Sequence, residues 1–433
     1  MTKFLWKATK VIGSLKWRSH EAQVKFNVVC DRTGRLFFSS LNVPFGTETL
    51  WLNSAFHSGG RYIEFLALDG IDHIGQKIHT PYFYLTGLKH GKTRRSSRII
   101  LKGTTTWLEV TPMPKDHSND SRIVSRYHVV GMKGFRAQKT TCDLGQILMG
   151  ARSKVDNYDK LTGLLEFVTD KHSISISDWI KACDKKADMI LEIMSLAQDR
   201  RLDWGVREVF NKGKLSSLFF RGPHNAPRPE YPIFSHLHLQ PALNLAAQVY
   251  TDYLRDKLGM GFAIEYFLMR PRFLELRFIA AMTGLEHLLQ RFCSIHKKGG
   301  IVDNKLFRNT VLPALKNILN ETGLNPDEVL TLFKKLPDIN RAALRENLFS
   351  FLEHYRVPLK GISTEQISNL VRVRNTLAHG RLYRKTPFSE RLSDDITILQ
   401  ELMRRILLTL LGYSGNCWSY LNGPEWVNFP QDL

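Results

Sequence analysis

A chain of 433 residues exceeds what one hydrophobic core usually organises, so two domains are expected. Its 43% hydrophobic and 24% charged residues are an ordinary globular composition and exclude a disordered or low-complexity protein. Sixty-one Lys and Arg against 41 Asp and Glu give a net charge of +20 and a pI near 9.7, a balance suited to a polyanion such as RNA, DNA or an anionic membrane surface.

The cysteines, Cys30, Cys142, Cys183, Cys293 and Cys417, are far apart and form no C-x-x-C pair. Neither a zinc site nor a disulfide framework is expected, and a reducing cytoplasm fits. Nothing in the residues asks for a metal or a cofactor. Trp6 and Trp17 stand among lysines without the apolar core of an export signal. The longest strongly apolar run, Ile406 to Leu411, is far short of the roughly 20 residues that cross a bilayer, so no membrane partner is expected.

In chain order, the first half reads as short strands. Val24, Phe26 and Val28 alternate with Lys25 and Asn27, a turn at Asp31 to Gly34 leads to Leu36 to Phe38, and similar runs recur at Tyr62 to Leu68, Tyr82 to Leu85, Thr104 to Val110 and Ile123 to Val129. A β-sandwich or a curled antiparallel sheet follows from this alternation. One helix near 177–198 buries Ile180, Cys183, Ala187, Ile190, Met194 and Ala197 on one face, and a hairpin at Asn211 to Gly213 closes this half. The β-rich, sandwich-like domain is thus placed at 1–222.

Pro223, Pro227, Pro229 and Pro232 mark a linker at 223–234. Beyond it, 235–433 shows helical spacing throughout: Ala242 to Leu258, Arg272 to His296, Asn304 to Asn320, Pro326 to Lys335, Arg341 to Tyr355, Thr364 to His379 and Ser393 to Leu411. The expected fold class is therefore α+β, with an all-α helical bundle as the C-terminal domain.

The segment Ile362 to Gly380 is punctuated as a helix. Ser363 and Gln366 form a capping box, Ile362 and Ile367 a hydrophobic staple, and Gly380 a stop. Ile367, Leu370, Val371, Leu377 and Ala378 make its apolar stripe, and Arg374 falls near the centre. A guanidinium there requires a carboxylate, a phosphate or a wet interface. Asn375 and His379, four apart, share the adjacent side. In-line attack of a ribose 2′-OH on phosphorus needs a base, an acid and a cation against the developing phosphoryl charge, and histidine and arginine supply these without a metal. His379 is assigned to proton transfer, Arg374 to phosphate charge, and Asn375 to orientation.

The run Arg374-Asn375-Thr376-Leu377-Ala378-His379 resembles the HEPN motif, an arginine followed by a polar residue and, after four to six positions, a histidine. Arg272-Phe273-Leu274-Glu275-Leu276-Arg277-Phe278, continuing to Leu285-Glu286, is similar to the long helix of the ApeA-like HEPN branch. The resemblance implies a helical endoribonuclease in 235–433, acting as a homodimer or higher homo-oligomer that joins two motifs in one RNA-cleaving cleft. It further implies a toxin, abortive-infection or anti-phage defence role. ApeA-like proteins also carry an N-terminal domain of this size, which would sense a phage-derived trigger or restrain the nuclease.

Two competing readings accompany this one. Arg374 could be a buried strut paired with Glu286 or Glu275, with Glu286 then supporting the site from behind. The domain could instead be a non-catalytic RNA- or protein-binding module, a regulator or antitoxin partner. Arg372, Arg381, Arg384 and Lys385 surround the motif as substrate-guiding charges. Gly87 to Thr93 resembles a phosphate loop but is one residue short and precedes the strand-like Ile99-Ile100-Leu101, so Lys92, Arg94 and Arg95 read better as a basic hairpin touching RNA phosphates. His236 and His238, without nearby carboxylates, make no metal site.

Overall fold

The computed structural model describes residues 4–44, 66–92, 97–112, 121–132, 137–151, 160–170, 175–222, 231–235, 239–340, 342–378 and 388–433, with backbone alone at 4, 40–44, 87–92, 97–99, 304, 337–338 and 388–391. The chain divides into two compact units, Met1–Gln248 and Val249–Leu433. Pro223, Pro227 and Pro229 lie outside the described residues. The stretch 231–235 belongs with unit 1, where the Ile233 and Phe234 N–H groups both donate to the Ala197 carbonyl, at 3.0 and 3.1 Å.

Among the described residues, unit 1 is built on an antiparallel sheet of 13 strands. They are β1 (Phe4–Trp17), β2 (His20–Asp31), β3 (Leu36–Pro44), β4 (Leu66–Ile71), β5 (Lys77–Lys92), β6 (Ser97–Thr105), β7 (Trp107–Thr111), β8 (Ile123–Val130), β9 (Gln138–Cys142), β10 (Gly145–Ala151), β11 (Leu161–Thr169), β12 (Asp203–Asn211) and β13 (Lys214–Arg221). The order β4-β1-β2-β3-β6-β5 closes through an additional β4–β5 pairing, and β7-β13-β12-β8-β11-β10-β9 continues from β5 as an open sheet. Of the two expected forms the curled antiparallel sheet is the one observed and the sandwich is corrected: one continuous sheet curls into a closed six-stranded barrel instead of two sheets stacking face to face.

Alternation predicts which side chains point inward, but it is the same for a barrel and a sandwich. Closure depends on local curvature. Gly13 and Gly70 face each other across β1 and β4, and a Cβ on Gly13 would lie 1.8 Å from the Asp69 carbonyl oxygen. Only glycine permits that approach, which lets the sheet bend back on itself. At the second corner Thr105 ends β6, and its hydroxyl donates to the Tyr82 carbonyl at 2.6 Å while lying 2.9 Å from the Thr80 hydroxyl. Leu15, Val28, Phe38, Leu68, Phe83 and Leu101 fill the barrel.

Helix α1 (Ile176–Gln198) covers the open part of the sheet, capped by the Ser175 hydroxyl, which accepts from Asp178 N at 3.1 Å. Cys183, Ala187, Ile190, Met194 and Ala197 are buried as expected from their spacing, whereas Ile180 is half-buried and Trp179 is buried beside it. Two carboxylates tie the helix to the sheet: Asp184 takes Tyr127 Oη at 2.8 Å and pairs with Arg207, and Asp188 takes Trp204 Nε1 and Arg221 Nη2, each at 2.9 Å. Burial holds the Asp184 carboxyl above its ordinary value, although Arg207 and Tyr127 pull it back. The β12–β13 turn has Lys212 and Gly213 both at positive φ, 51° and 70°, the pattern of a type I′ hairpin.

Unit 2 contains helices α2 to α8. α2 is Met260–Phe267, α3 is Leu274–Ile295, α4 is Leu312–Asn320, α5 is Pro326–Ile339, α6 is Leu344–Tyr355, α7 is Thr364–Ala378 and α8 is Phe388–Leu410. The C-terminal all-α bundle is also corrected. The chain ends in an antiparallel hairpin, β14 (Gly415–Ser419) with β15 (Glu425–Phe429), and π-helical turns interrupt the helical run at Tyr253–Lys257 and Phe307–Val311. Strands of five residues are too short to declare themselves by alternation.

The hairpin changes what α8 buries. Ile396, Leu399, Met403 and Ile406 lie in the core as their spacing predicts, but Glu401, Arg404 and Arg405 are also at most 3% exposed. Glu401 accepts from Arg405 Nε at 3.1 Å, from the Ser419 hydroxyl at 2.9 Å and from Tyr420 N at 3.3 Å, while Arg405 Nη1 donates to the Lys360 carbonyl at 2.8 Å. The hairpin and the loop before α7 thus supply hydrogen-bond partners to the polar face of α8. Among the described residues, no helix is long and apolar enough to cross a membrane.

Two predictions follow from these buried charges. Glu401→Ala leaves two buried guanidinium groups without their carboxylate and should cost about 3–5 kcal/mol of local stability. Hydrogen exchange of α8 amides would read this, and unchanged protection would refute the account. In unit 1, Glu208 lies 3.0 Å from His128 Nε2 and within 3.5 Å of Arg126 Nη1. Burial acts to raise the Glu208 carboxyl, but His128 and Arg126 outweigh it and hold the group below its ordinary value of 4.5. A depressed folded-state pKa contributes stability above the unfolded value, lost as pH falls through the folded one. Glu208→Gln should therefore be less stable than wild type at neutrality, with the difference closing below about pH 4.5 in thermal melts.

Candidate active site

α7 begins as its residues predict. The Ser363 hydroxyl accepts from Gln366 N at 3.2 Å, and Gln366 Oε1 accepts from Ser363 N at 2.7 Å. Ile362 and Ile367 are both buried at that end. The buried face differs slightly from the expected stripe: Ile367, Leu370, Val371 and Val373 are buried, Leu377 is half-buried and Ala378 is exposed. Arg374 consequently sits at the margin of that face, with its side chain 33% exposed.

From there the guanidinium reaches α3. Arg374 Nε donates to Glu286 Oε1 at 2.6 Å and Nη2 to Glu286 Oε2 at 2.9 Å, a two-pronged pairing that matches the planar fork of one group to the other. Glu275, the other acid considered, is exposed in the first turn of α3. Nη1 of Arg374 donates to Asn375 Oδ1 at 3.2 Å, so the arginine orients its exposed neighbour. Glu286 and Asn375 thus engage three of the five N–H donors of Arg374.

A polar chain absent from the sequence reading runs beside this pair. Arg372 Nη2 donates to Asn369 Oδ1 at 2.6 Å, and Asn369 Nδ2 donates to Asp395 Oδ1 on α8 at 2.7 Å. Burial raises the Asp395 carboxyl, partly offset by the Asn369 bond. The spacing of Asn369 and Arg372, three apart on one helical side, was the available signal. The chain commits Arg372 to the helix surface at this point.

The structure brings together Arg374, Asn375 and Glu286. His379, Arg381, Arg384 and Lys385 lie outside the described residues, as do Arg94, Arg95, His236 and His238. His379 directly follows Ala378, the last described residue of α7. Lys92 is the last residue of β5, paired in register with Ser97, and the backbone of 87–92 is strand, not a phosphate loop. Among the described residues, no group of three or more His, Cys, Asp or Glu is placed to hold a metal ion. The five cysteines are free thiols that burial pushes up in pKa, so none offers a ready thiolate near neutrality.

No family model, no curated protein and no solved structure matches this chain. The HEPN resemblance accordingly rests on the residues themselves.

The pairing makes a quantitative prediction. A double-mutant cycle with Arg374→Ala and Glu286→Ala, measured by unfolding, should give a coupling of about 1–2 kcal/mol, below that of a fully buried pair because a third of the arginine side chain meets solvent. Additive effects would show that the two groups do not hold α7 on α3.

Proposed function

We propose that this protein is a metal-independent endoribonuclease of the HEPN type. The observation that carries the reading is the two-pronged grip of Glu286 on Arg374, which aims a half-exposed guanidinium beside Asn375 at the end of the helix that leads into His379. A fixed cation of this kind costs little reorganisation when phosphoryl charge develops. In the step assigned to it, the 2′-oxygen bonds to phosphorus as a base accepts its proton. The P–O5′ bond breaks as an acid donates a proton to the leaving oxygen, yielding a 2′,3′-cyclic phosphate and a 5′-hydroxyl. His379 serves one of these proton transfers, its counterpart from a second copy serves the other, and Arg374 faces the phosphoryl oxygens.

The proposed setting is the cytoplasm, with RNA as substrate and a homodimer or higher homo-oligomer as the acting form. An anti-phage or abortive-infection role, with unit 1 responding to a phage-derived trigger, rests on the resemblance. The net charge of +20 supports a polyanionic substrate. A second reading, a non-catalytic RNA- or protein-binding module, is favoured by the same ion pair, because a guanidinium already satisfied by a carboxylate is also a sound structural strut.

Incubating RNA with the protein in EDTA separates the two. Cleavage to cyclic phosphate ends that is lost in His379→Ala, with Arg374→Ala slower by about a hundredfold or more, is expected of the enzyme. RNA retained intact, or cleavage undiminished in His379→Ala, refutes it.

A further inference from the structure

The outer face of the barrel in unit 1 carries a strip of rings flanked by cations. Lys7, Val29, Phe37, Thr104 and Tyr84 stand directly opposite one another from β1 through β2, β3 and β6 to β5, so their side chains share one face. Tyr82, two residues before Tyr84 on β5, shares it too. Phe37 and Tyr82 are each 45% exposed and Tyr84 is half-buried, while Phe38 and Phe83 beside them are buried in the barrel. Two strand spacings put Phe37 about 10 Å from Tyr84, and two residues put Tyr84 about 7 Å from Tyr82. The platform is held in place: Tyr82 stands at right angles to Trp107 with 6.4 Å between ring centres, and the Thr105 hydroxyl donates to the Tyr82 carbonyl.

The charges beside the rings are positive. Lys7, Arg35 and Lys102 are exposed, Arg35 two residues before Phe37 and Lys102 two before Thr104, and among the described residues none of the three is in an ion pair. The nearby acids are engaged. Asp31 Oδ1 accepts from Thr33 N, the Thr33 hydroxyl and Arg35 N within its own turn, and Asp69 lies 2.6 Å from His79 Nδ1 and 3.5 Å from Lys16 Nζ. Glu109, beyond Trp107 on β7, marks where the strip ends. Rings set apart by a threonine, with cations alongside, do not make the continuous apolar patch that a protein core or a lipid tail requires. They fit a single strand of nucleic acid, whose bases offer faces to stack and whose phosphates neutralise the cations. In a duplex those faces are already stacked on one another. We propose that this face of unit 1 binds single-stranded RNA, with Phe37, Tyr84 and Tyr82 as base platforms and Lys7, Arg35 and Lys102 on the phosphates. The choice of RNA over DNA rests on the proposed nuclease activity; the preference for a single strand rests on the rings.

Binding is measured by fluorescence anisotropy on the full chain carrying His379→Ala, so that the probe stays intact, with a labelled oligouridylate about 12 nucleotides long. It should bind at least roughly tenfold more tightly than an RNA duplex of that length, and no more weakly than oligothymidylate. Phe37→Ala and Tyr84→Ala should each weaken binding by roughly fivefold or more, whereas Phe37→Trp, which keeps a face to stack on, should bind like the parent. Lys7→Gln and Lys102→Gln should each lower the slope of log affinity against log salt by roughly 0.7. Equal affinity for the duplex, tighter binding of oligothymidylate, alanine variants that bind like the parent, or an unchanged salt slope would each overturn the proposal. Failure of the nuclease reading looks different: the wild-type chain then leaves RNA uncut while Phe37→Ala still weakens its binding.

Discussion

One ion pair ties α7 to α3 beside their apolar contact. Arg374 stands at the margin of the buried face of α7, and Glu286 supplies the carboxylate that pairs with it. Held through two nitrogens, the guanidinium cannot swing freely, so its remaining N–H groups and the amide of Asn375 are presented together. A strut and a phosphate-binding cation are compatible roles for one group, because the pairing uses only part of its donor set.

Elsewhere in unit 2 the same physics appears with the opposite exposure. Glu401, Arg404 and Arg405 are sealed under the terminal hairpin, where Ser419 and Tyr420 donate to Glu401 and the backbone of the 358–360 loop accepts from Arg405. α8 is consequently buried on its polar side as well as its apolar one. The contrast separates a charge cluster that is sealed in a core from a pair left at a partly exposed margin.

Unit 1 is organised by curvature. The row of residues that faces outward on the barrel, including Ser14, Asp69, His79 and Glu109, continues in register through Phe219 to Arg207 and Tyr127, which lie beneath α1. One face of one sheet therefore changes from polar surface to helix-covered interior as the sheet opens. The interior of the barrel passes in the same way to the opposite face, which carries Arg126, His128, Glu166 and Glu208. A 13-stranded sheet can serve both purposes because its twist accumulates from strand to strand.

Residue order by itself determined the local features whose energetics are local: the capping box at Ser363 and Gln366, the turn at Asp31, the hairpin around Asn211 to Gly213, most of the buried stripe of α1, and the proximity of Arg374 to Asn375. Each depends on spacings of a few residues, which a helix or turn converts directly into geometry. It also narrowed the partner of Arg374 to two acids but could not choose between them. Glu286 over Glu275 was decided by how α7 docks on α3, a long-range contact. The closed barrel was decided by pairings such as β4 with β1 and β5, which join distant segments and need the close approach at Gly13 and Gly70. The terminal hairpin was likewise decided by tertiary structure, since two five-residue strands gain stability by burying Cys417, Val427 and Phe429 and by covering the charges of α8. Spacing records which side chains share a face; only packing records what that face meets.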